Sequence, residues 1–208
     1  MIKKEKNKSR LSLIGSFLII SAIGGFIFYN VYNLSIDNTE KKQADDFINN
    51  IVNKEDEQNE VVEPKNETVQ VDNYNYIGVL EIPTINFKHG FLDINDRNNK
   101  VNRNIEVLKN STMPDVDHGF MAIAGHSGSG RTAFFKNLHK LKEKDIIYIY
   151  YKNIKYTYEV IKNYEEVKDG DITVDKNSES TLVLTTCSQT NKNNQVVVVS
   201  KLINKTVY

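Results

Sequence analysis

Residues 181–201 read TLVLTTCSQTNKNNQVVVVSK, and this stretch decides the fold class. Two runs rich in β-branched residues, 181–186 and 195–201, flank a short polar segment. β-Branched residues favour pleated, packed surfaces, and a polar segment between two such runs allows the chain to turn back. The stretch therefore predicts two antiparallel strands, with the only cysteine of the chain, Cys187, at the end of the first.

Four other segments between residues 74 and 208 also predict strands. They are YIGVLEI at 76–82, GFMAIA at 119–124, DIIYIYY at 145–151 and IKYTYEVIK at 154–162. One short helix is predicted over 132–141, where Phe134, Leu138 and Leu141 recur at helical spacing. Six or more strands predict a mainly β domain that closes into a barrel, because closure removes exposed sheet edges.

The composition excludes several classes of protein. The chain has 27 basic and 27 acidic residues, so its formal net charge is zero and no nucleic-acid partner is expected. Hydrophobic residues make up 39% and charged residues 26%, which excludes a polytopic membrane protein and a fully disordered chain. The single cysteine excludes an internal disulfide and any metal site built from several thiolates.

An apolar segment near the N-terminus predicts a transmembrane helix over residues 11–33. No charged residue occurs between Leu11 and Ile36. The segment is preceded by the basic residues Lys3, Lys4, Lys6, Lys8 and Arg10. A run of about 20 apolar residues spans a bilayer, and basic residues stay on the cytoplasmic side. Residues 1–10 are therefore predicted to be a cytoplasmic tail, with the C-terminal domain outside the cell. A cleaved signal peptide is the alternative, but the length of the run favours an uncleaved anchor.

An acidic linker is predicted over residues 34–73. Between Asp37 and Asp72, eleven residues are acidic and four are basic, and aromatic residues are few. Such a segment buries too little apolar surface to fold alone, so a flexible, solvated spacer is expected, with a short helix near 42–52 as the alternative. The folded domain is predicted to occupy residues 74–208.

Cys187 is a candidate nucleophile, because it ends an apolar strand in a domain that is predicted to be exported. An unpaired exported cysteine is a reactive thiol, a buried inert thiol or one half of an intermolecular disulfide. A reactive thiol needs a partner that accepts its proton, and that partner is usually a histidine.

His126 is the histidine best placed to be that partner. It follows the apolar run MAIAG at 121–125 and opens the small-residue loop SGSG. A side chain at the end of a strand, beside small residues, is placed to face a ligand. The other histidines have ordinary structural interpretations: His89 in a loop, His118 in a solvated turn and His139 on the surface of the predicted helix.

Gln195 is a third candidate. If the last two predicted strands pair around residues 188–194, Cys187 and Gln195 lie opposite each other, with Cβ atoms about 5 Å apart. Gln195 could then donate a side-chain N–H to a reaction at the Cys187 sulfur. The alternative is an ordinary polar residue at the mouth of a strand.

These features together resemble the sortases, the cysteine transpeptidases of Gram-positive bacterial surfaces. The resemblance rests on the N-terminal apolar segment, on IAGH at 123–126, on TLVLTTC at 181–187 and on the β-branched final strand. It implies a closed eight-stranded β-barrel with one or two short helices, preceded by a single transmembrane helix as in class A and class D members. Residues 74–208 would then be the sortase catalytic domain.

The resemblance also implies a His–Cys–Arg site. Cys187 would be the nucleophile that carries the acyl group as a thioester, His126 would be the general acid and base, and Thr186 would bind substrate. Gln195 stands at the position of the family arginine, where it keeps a hydrogen-bond donor and lacks the positive charge. Arg131, in the loop after His126, is a candidate substitute.

The function implied is cleavage of an LPxTG-like sorting signal in exported proteins and transfer of the acyl group to an amine of the lipid-linked peptidoglycan precursor. This reaction takes place at the membrane and needs no cofactor or metal. Acidic residues in the loops are expected to be solvated rather than to bind calcium: Asp115, Asp117, Glu165, Glu166 and Asp169. Two alternatives stay open, a sortase-fold scaffold of weak or no transpeptidase activity, motivated by Gln195, and a pilin-polymerising sortase. Loops at 95–115 and 163–180 are expected to set specificity.

Overall fold

The computed structural model describes residues 15–32, 42, 45–46, 69–71, 74–170, 172, 174 and 179–207. The chain divides into two units, Met1–Glu40 and Lys41–Tyr208. In the first unit, helix α1 spans Gly15–Tyr32 and is long and apolar enough to cross a membrane. A helix is thus confirmed within the predicted span of 11–33, and its length and composition fit a membrane anchor. A signal sequence has the same properties. Most of the predicted linker, 34–73, lies outside the described residues.

The described part of the second unit contains nine strands. They are β1 (Val69–Val71), β2 (Tyr74–Ile82), β3 (Phe87–Leu92), β4 (Glu106–Val107), β5 (Phe120–Ala124), β6 (Ile146–Tyr151), β7 (Ile154–Val167), β8 (Thr181–Cys187) and β9 (Asn194–Val207). They form one sheet in the order β1-β2-β6-β7-β9-β8-β5-β4, with β3 paired to β2. Only β5 and β8 pair in parallel; all other pairs are antiparallel. Two 3-10 helices, Pro83–Ile85 and Leu138–Lys140, lie between strands.

The mainly β architecture predicted from the sequence is confirmed. Side chains from β2 to β9 converge on one apolar core, as a barrel requires. Strands β3 and β4 come into contact, but no backbone ladder joins them among the described strands, so the hydrogen-bonded sheet is open there. The sheet has nine described strands where eight were expected, and the strands at its two ends, β1 and β4, are very short.

The helix predicted over 132–141 is wrong. The segment consists of turns followed by the single 3-10 turn Leu138–Lys140. The Phe135 N–H donates to the His126 carbonyl at 2.9 Å, so the chain folds back on the preceding loop and does not continue a helix. A helical segment this short gains little from hydrogen bonding alone, and packing of Phe135 and Leu138 into the core determines its shape instead.

Strand β8 is the centre of the functional half of the sheet, because both of its faces are buried. Leu182 and Leu184 point into the main core, together with Val196 and Val198 of β9. Alternate residues of a strand point to opposite faces. The face of β8 opposite the main core therefore carries Val183, Thr185 and Cys187. On that face, which we call the outer face, Ala122, Val183, Val197 and Val199 form a second apolar cluster.

Candidate active site

The parallel pairing of β5 with β8 brings His126 and Cys187 to the same end of two adjacent strands. The register pairs Ala124 with Thr185, and each candidate residue follows two positions later. The strands stay together beyond that pair, since the Gly125 N–H donates to the Thr185 carbonyl at 3.1 Å. Adjacent strands lie about 4.8 Å apart, and positions two residues beyond a pair share its face. The backbone positions of His126 and Cys187 therefore lie at the same end of adjacent strands, and both residues are partly exposed.

Thr186 ties these two strand ends together through its side chain. Its hydroxyl donates to the Gly125 carbonyl at 2.6 Å, directly before His126. Thr186 is buried and alternates with Cys187, so its side chain lies on the core side of β8. This arrangement supports a positioning role for the hydroxyl, and the substrate-binding role of Thr186 stays a prediction.

Gln195 is the cross-strand partner of Cys187, so the predicted pairing of these two positions is confirmed. Its amide is buried and donates from Nε2 to Glu166 Oε1 at 3.0 Å. Glu166 belongs to β7 and pairs with Gln195 from the other side of β9. The carboxylate therefore holds one amide N–H away from the sulfur, a partner that the sequence did not reveal.

Lys168 is a further residue of this site that sequence reasoning missed. Its Nζ donates to Cys187 Sγ at 3.4 Å. Its backbone N–H donates to the Asn193 carbonyl at 2.8 Å, which fixes the residue after β7 against the turn between β8 and β9. Strand β7 runs to Val167, five residues past its predicted end at 162, and this extension carries Glu166 and Lys168 to the site.

The loop that begins with His126 is fastened to the turn after Cys187. Gln189 Nε2 donates to two backbone carbonyls, that of Ser127 at 2.9 Å and that of Lys136 at 2.7 Å. The Ser188 hydroxyl, next to Cys187, donates to Glu165 Oε1 at 3.0 Å. These bonds limit the independent motion of the two loops, which preserves the spacing between the imidazole and the thiol.

Arg131, the predicted substitute for the family arginine, is exposed on that loop. Its guanidinium has no hydrogen bond or ion pair with any residue that the structure describes. No contact brings it to Cys187, so its assignment stays a prediction without support from the geometry.

His89 does not lie in a loop as expected; it is a buried residue of β3. Its Nε2 lies 2.7 Å from Asn104 Oδ1, and its ring stacks on Phe134 at 4.3 Å between centroids. Burial lowers the pKa of His89 to about 4, which keeps the ring neutral and structural. His118 and His139 are exposed, in a turn and on a 3-10 turn respectively, so neither competes with His126 for a role at the thiol.

The loop acids mostly have partners of their own. Asp115 pairs with Lys152 at 2.8 Å and Asp117 with Lys205 at 3.1 Å. Across the described ranges, no group of three or more His, Cys, Asp and Glu side chains is arranged to hold a metal ion.

The outer-face cluster is a buried apolar layer beside the site. Its central residues Ala122, Val183, Val197 and Val199 are flanked by partly buried side chains: Leu108, Phe120, Ile161, Tyr164, Ile172 and Val174. His126 and Cys187 follow the strands β5 and β8 at one end of this layer. The site combines a thiol, an imidazole, an ammonium group and an amide, which are the groups that nucleophilic acyl transfer uses.

Comparisons with known proteins agree with this geometry. A sortase domain model matches residues 80–203, which is more than half of the chain. Sortase A of Bacillus anthracis is 26% identical over 208 residues, covering 93% of this chain and 95% of that protein.

Solved structures show the same fold. A lid mutant of Sortase A from Corynebacterium diphtheriae superposes with a TM-score of 0.55 at 24% identity, over 62% of this chain and 70% of that one. The Listeria monocytogenes sortase A gives 0.55 at 17% identity, over 64% and 90%. The Clostridium perfringens Sortase D5 transpeptidase gives 0.53 at 24% identity, over 62% and 80%. Together with the extent of the domain match, the placement of His126 and Cys187 at the same end of two adjacent strands leads to one conclusion: the chain belongs to the sortase family.

Proposed function

We propose that this protein is a membrane-anchored sortase that cleaves an LPxTG-like sorting signal and joins the released carboxyl end to an amine of the cell-wall precursor. The observation that carries the proposal is the register of β5 and β8, in which Ala124 pairs with Thr185 two residues before His126 and Cys187. Sortases are transpeptidases, so a cysteine and a histidine at the same end of adjacent strands in this fold fit the family reaction.

The first half of the reaction forms a thioester. The Cys187 thiolate attacks the carbonyl carbon of the scissile peptide bond, a C–S bond forms, and the π electrons move onto the oxygen. When this tetrahedral intermediate collapses, the C–N bond breaks and the His126 imidazolium gives its proton to the leaving nitrogen. The acyl group stays on Cys187, and the C-terminal fragment leaves as an amine.

The second half transfers the acyl group. The acceptor amine attacks the thioester carbonyl and loses a proton to the neutral His126 imidazole, a new C–N bond forms, and the C–S bond breaks. The thiolate and imidazolium of the starting state are restored, so acyl transfer needs no external oxidant, metal or nucleotide. Splitting one amide exchange into two steps lowers the barrier of each.

A peptide substrate would bind at the strand ends that carry His126 and Cys187, because both residues are partly exposed there. Val183 and Val197 are fully buried in the outer-face cluster, so that cluster would support the site from within. Helix α1 would hold the enzyme at the membrane, where exported substrates and a lipid-linked acceptor amine meet.

The test uses the full chain in detergent micelles with a panel of LPxTG-type peptides and no acceptor amine. Mass spectrometry should find a peptide-sized adduct that hydroxylamine removes, as expected for a thioester, and that Cys187→Ala lacks. A His126→Gln variant should form the adduct at least roughly 10²-fold more slowly, because no acid protonates the leaving amine. Absence of any adduct on the folded parent chain, with every signal in the panel, would contradict the proposal.

A scaffold function is the second candidate, because Gln195 carries no charge and is bonded to Glu166. A scaffold would bind a sorting peptide without acylation, so the same peptides would protect Cys187 from alkylation and leave no adduct. A pilin-polymerising sortase would instead accept the amine of a pilin lysine in the second step. Supplying a pilin-type lysine peptide or a cell-wall-type amine to the preformed adduct separates these two transpeptidases.

A further inference from the structure

The positive charge that contacts the nucleophile comes from Lys168, the residue that follows β7. Gln195, directly opposite Cys187, is neutral, whereas Lys168 Nζ donates to Cys187 Sγ at 3.4 Å. We propose that Lys168 is a further catalytic residue of this site, whose ammonium stabilises the Cys187 thiolate and then the oxyanion. The proposal rests on the proposed transpeptidase function, and it names a residue outside the His–Cys–Arg set.

A backbone hydrogen bond holds Lys168 in place beside the nucleophile. The Lys168 N–H donates to the Asn193 carbonyl at 2.8 Å. Asn193 directly precedes β9, the strand in which Gln195 pairs with Cys187. The stem of the side chain therefore starts from a held position beside the nucleophile. A charge that is already in place costs little reorganisation when the thiolate forms.

The charges around Lys168 leave its ammonium available to the sulfur. Glu166, near the end of β7, accepts a hydrogen bond from the Gln195 amide. Lys168 itself has no ion pair with any carboxylate in the described part of the chain. The ammonium therefore contacts the sulfur, and this contact is a charge-assisted hydrogen bond once the thiol is ionised.

Lys168 exchanges no proton in this scheme. It donates a hydrogen bond to Sγ before attack. As the C–S bond forms, the negative charge moves from sulfur to the carbonyl oxygen, and the same ammonium donates to that oxygen. When the C–N bond breaks, the charge leaves the oxygen, and His126 supplies the proton to the leaving nitrogen. Lysine is a compact point charge on a flexible stem, so one side chain can follow the charge from sulfur to oxygen.

Alkylation of Cys187 by iodoacetamide tests the proposal without any sorting signal. The full chain in detergent micelles is compared at pH 7 and pH 9.5 with Lys168→Met, Lys168→Arg and the matched control Lys192→Met, which removes an exposed lysine from the adjacent turn. Lys168→Met should slow alkylation at pH 7 about tenfold, since a charge-assisted contact is partly screened by solvent. At pH 9.5 the difference should vanish, because a free thiol ionises there without help. Lys168→Arg and Lys192→Met should stay within about threefold of the parent chain, since both keep a cation beside the sulfur.

Equal alkylation of Lys168→Met and the parent at pH 7 would overturn the proposal, as would an equal loss in Lys192→Met. A slowing that persists at pH 9.5 would also overturn it, because it would reflect access to the thiol and not charge. With an accepted sorting peptide, Lys168→Met should lower the single-turnover rate of adduct formation more than Lys168→Arg does. A hydroxylamine-resistant adduct that depends on Lys168 would contradict the scheme, since an acylated lysine carries no charge.

The two proposals fail separately. If no peptide acylates the parent chain, the transpeptidase function fails, and the alkylation rates still decide whether Lys168 stabilises the thiolate. If peptides acylate the parent and Lys168→Met equally, the transpeptidase stands and the role of Lys168 is excluded.

Discussion

Gln195 lies directly opposite Cys187 on the neighbouring strand, yet its amide donates away from the sulfur to Glu166 at 3.0 Å. Position 195 is therefore coupled to an acid on its other side. A cation introduced there would meet a carboxylate before it met the nucleophile. This coupling explains how a site can keep a neutral residue at the place where the family resemblance expects arginine.

The coupling predicts the outcome of restoring that arginine. Gln195→Arg alone should change the rate of thioester formation by no more than about threefold, because Glu166 pairs with the new guanidinium and neutralises it. Gln195→Arg combined with Glu166→Gln should raise the rate about tenfold, since the charge is then free to face the oxyanion. Single-turnover acylation measured for the parent, both single variants and the double variant gives the coupling. A gain in Gln195→Arg as large as in the double variant would show that Glu166 does not restrain position 195.

Thr186 offers a second prediction, about the distance between the two reacting groups. Thr186→Val keeps the shape of the side chain and leaves the Gly125 carbonyl without its 2.6 Å partner. We expect a loss of about 1 kcal/mol in the free energy of unfolding, the usual value for one buried hydrogen bond. The rate of acylation should fall even where the variant is fully folded, because the lost hydrogen bond holds Gly125, which directly precedes His126. Urea unfolding and single-turnover rates check both, with Thr186→Ser as the control that keeps the hydroxyl. Equal rates in the valine and serine variants would argue against a positioning role.

The parts of this site differ in how readily the sequence predicts them. The pairing of Cys187 with Gln195 followed from strand ends and loop length alone, because two β-branched runs and one polar turn fix an antiparallel register. The prediction that His126 and Cys187 lie close together came from the family resemblance. The parallel pairing of β5 with β8 joins positions 61 residues apart, such as Ala124 and Thr185, and leaves no local signal in the sequence. Strands β3 and β4 were missed because FKHGFL mixes polar and apolar residues and EV is too short to show a period.

Lys168 could not be predicted for a definite reason. Tyr156, Tyr158 and Val160 of β7 point into the main core, and strict alternation would place later even-numbered residues on that side as well. A register shift between Val160 and Lys162 reverses the alternation, so Tyr164 packs on the outer-face cluster. Lys168 follows at the same parity and reaches Cys187. A β-bulge of this kind depends on pairing with β9 and leaves no pattern in the sequence of β7 itself.

His89 predicts a pH dependence of folding. Its pKa is lowered from 6.5 to about 4 by burial, so the unfolded chain binds a proton at this residue that the folded chain does not bind until the pH is much lower. The stability contributed by neutral His89 is complete above pH 6.5 and is lost as the pH falls toward 4. The loss approaches roughly 3 kcal/mol, from the size of the shift. Asn104, Phe87, Phe134 and Tyr76 are among the groups that pack around the ring, and none of these four is an acid that would hold a charged imidazole.

Urea unfolding at pH 7.5, 5.5 and 4.5 checks this expectation. His89→Gln keeps a donor toward Asn104 without titrating, so its stability should fall less between pH 7.5 and 4.5 than that of the parent chain. His139→Gln, which removes an exposed histidine, should follow the parent curve. If His89→Gln and the parent lose stability in parallel, the acid sensitivity comes from other groups.

The single cysteine makes the orientation of the protein directly measurable. If the basic residues before α1 stay in the cytoplasm, Cys187 lies outside the cell, where its partly exposed thiol is open to reagents. A membrane-impermeant maleimide should therefore label the chain on intact cells, and Cys187→Ala should stay unlabelled under the same conditions. Because no other cysteine exists in the sequence, every labelled molecule reports the same site.

Labelling that appears only after lysis would place the domain in the cytoplasm and contradict both the predicted topology and an exported substrate. Label recovered in the culture medium rather than in the membrane fraction would instead indicate that α1 is cleaved as a signal sequence; it would contradict the proposed membrane anchor and leave the proposed acyl transfer unchanged.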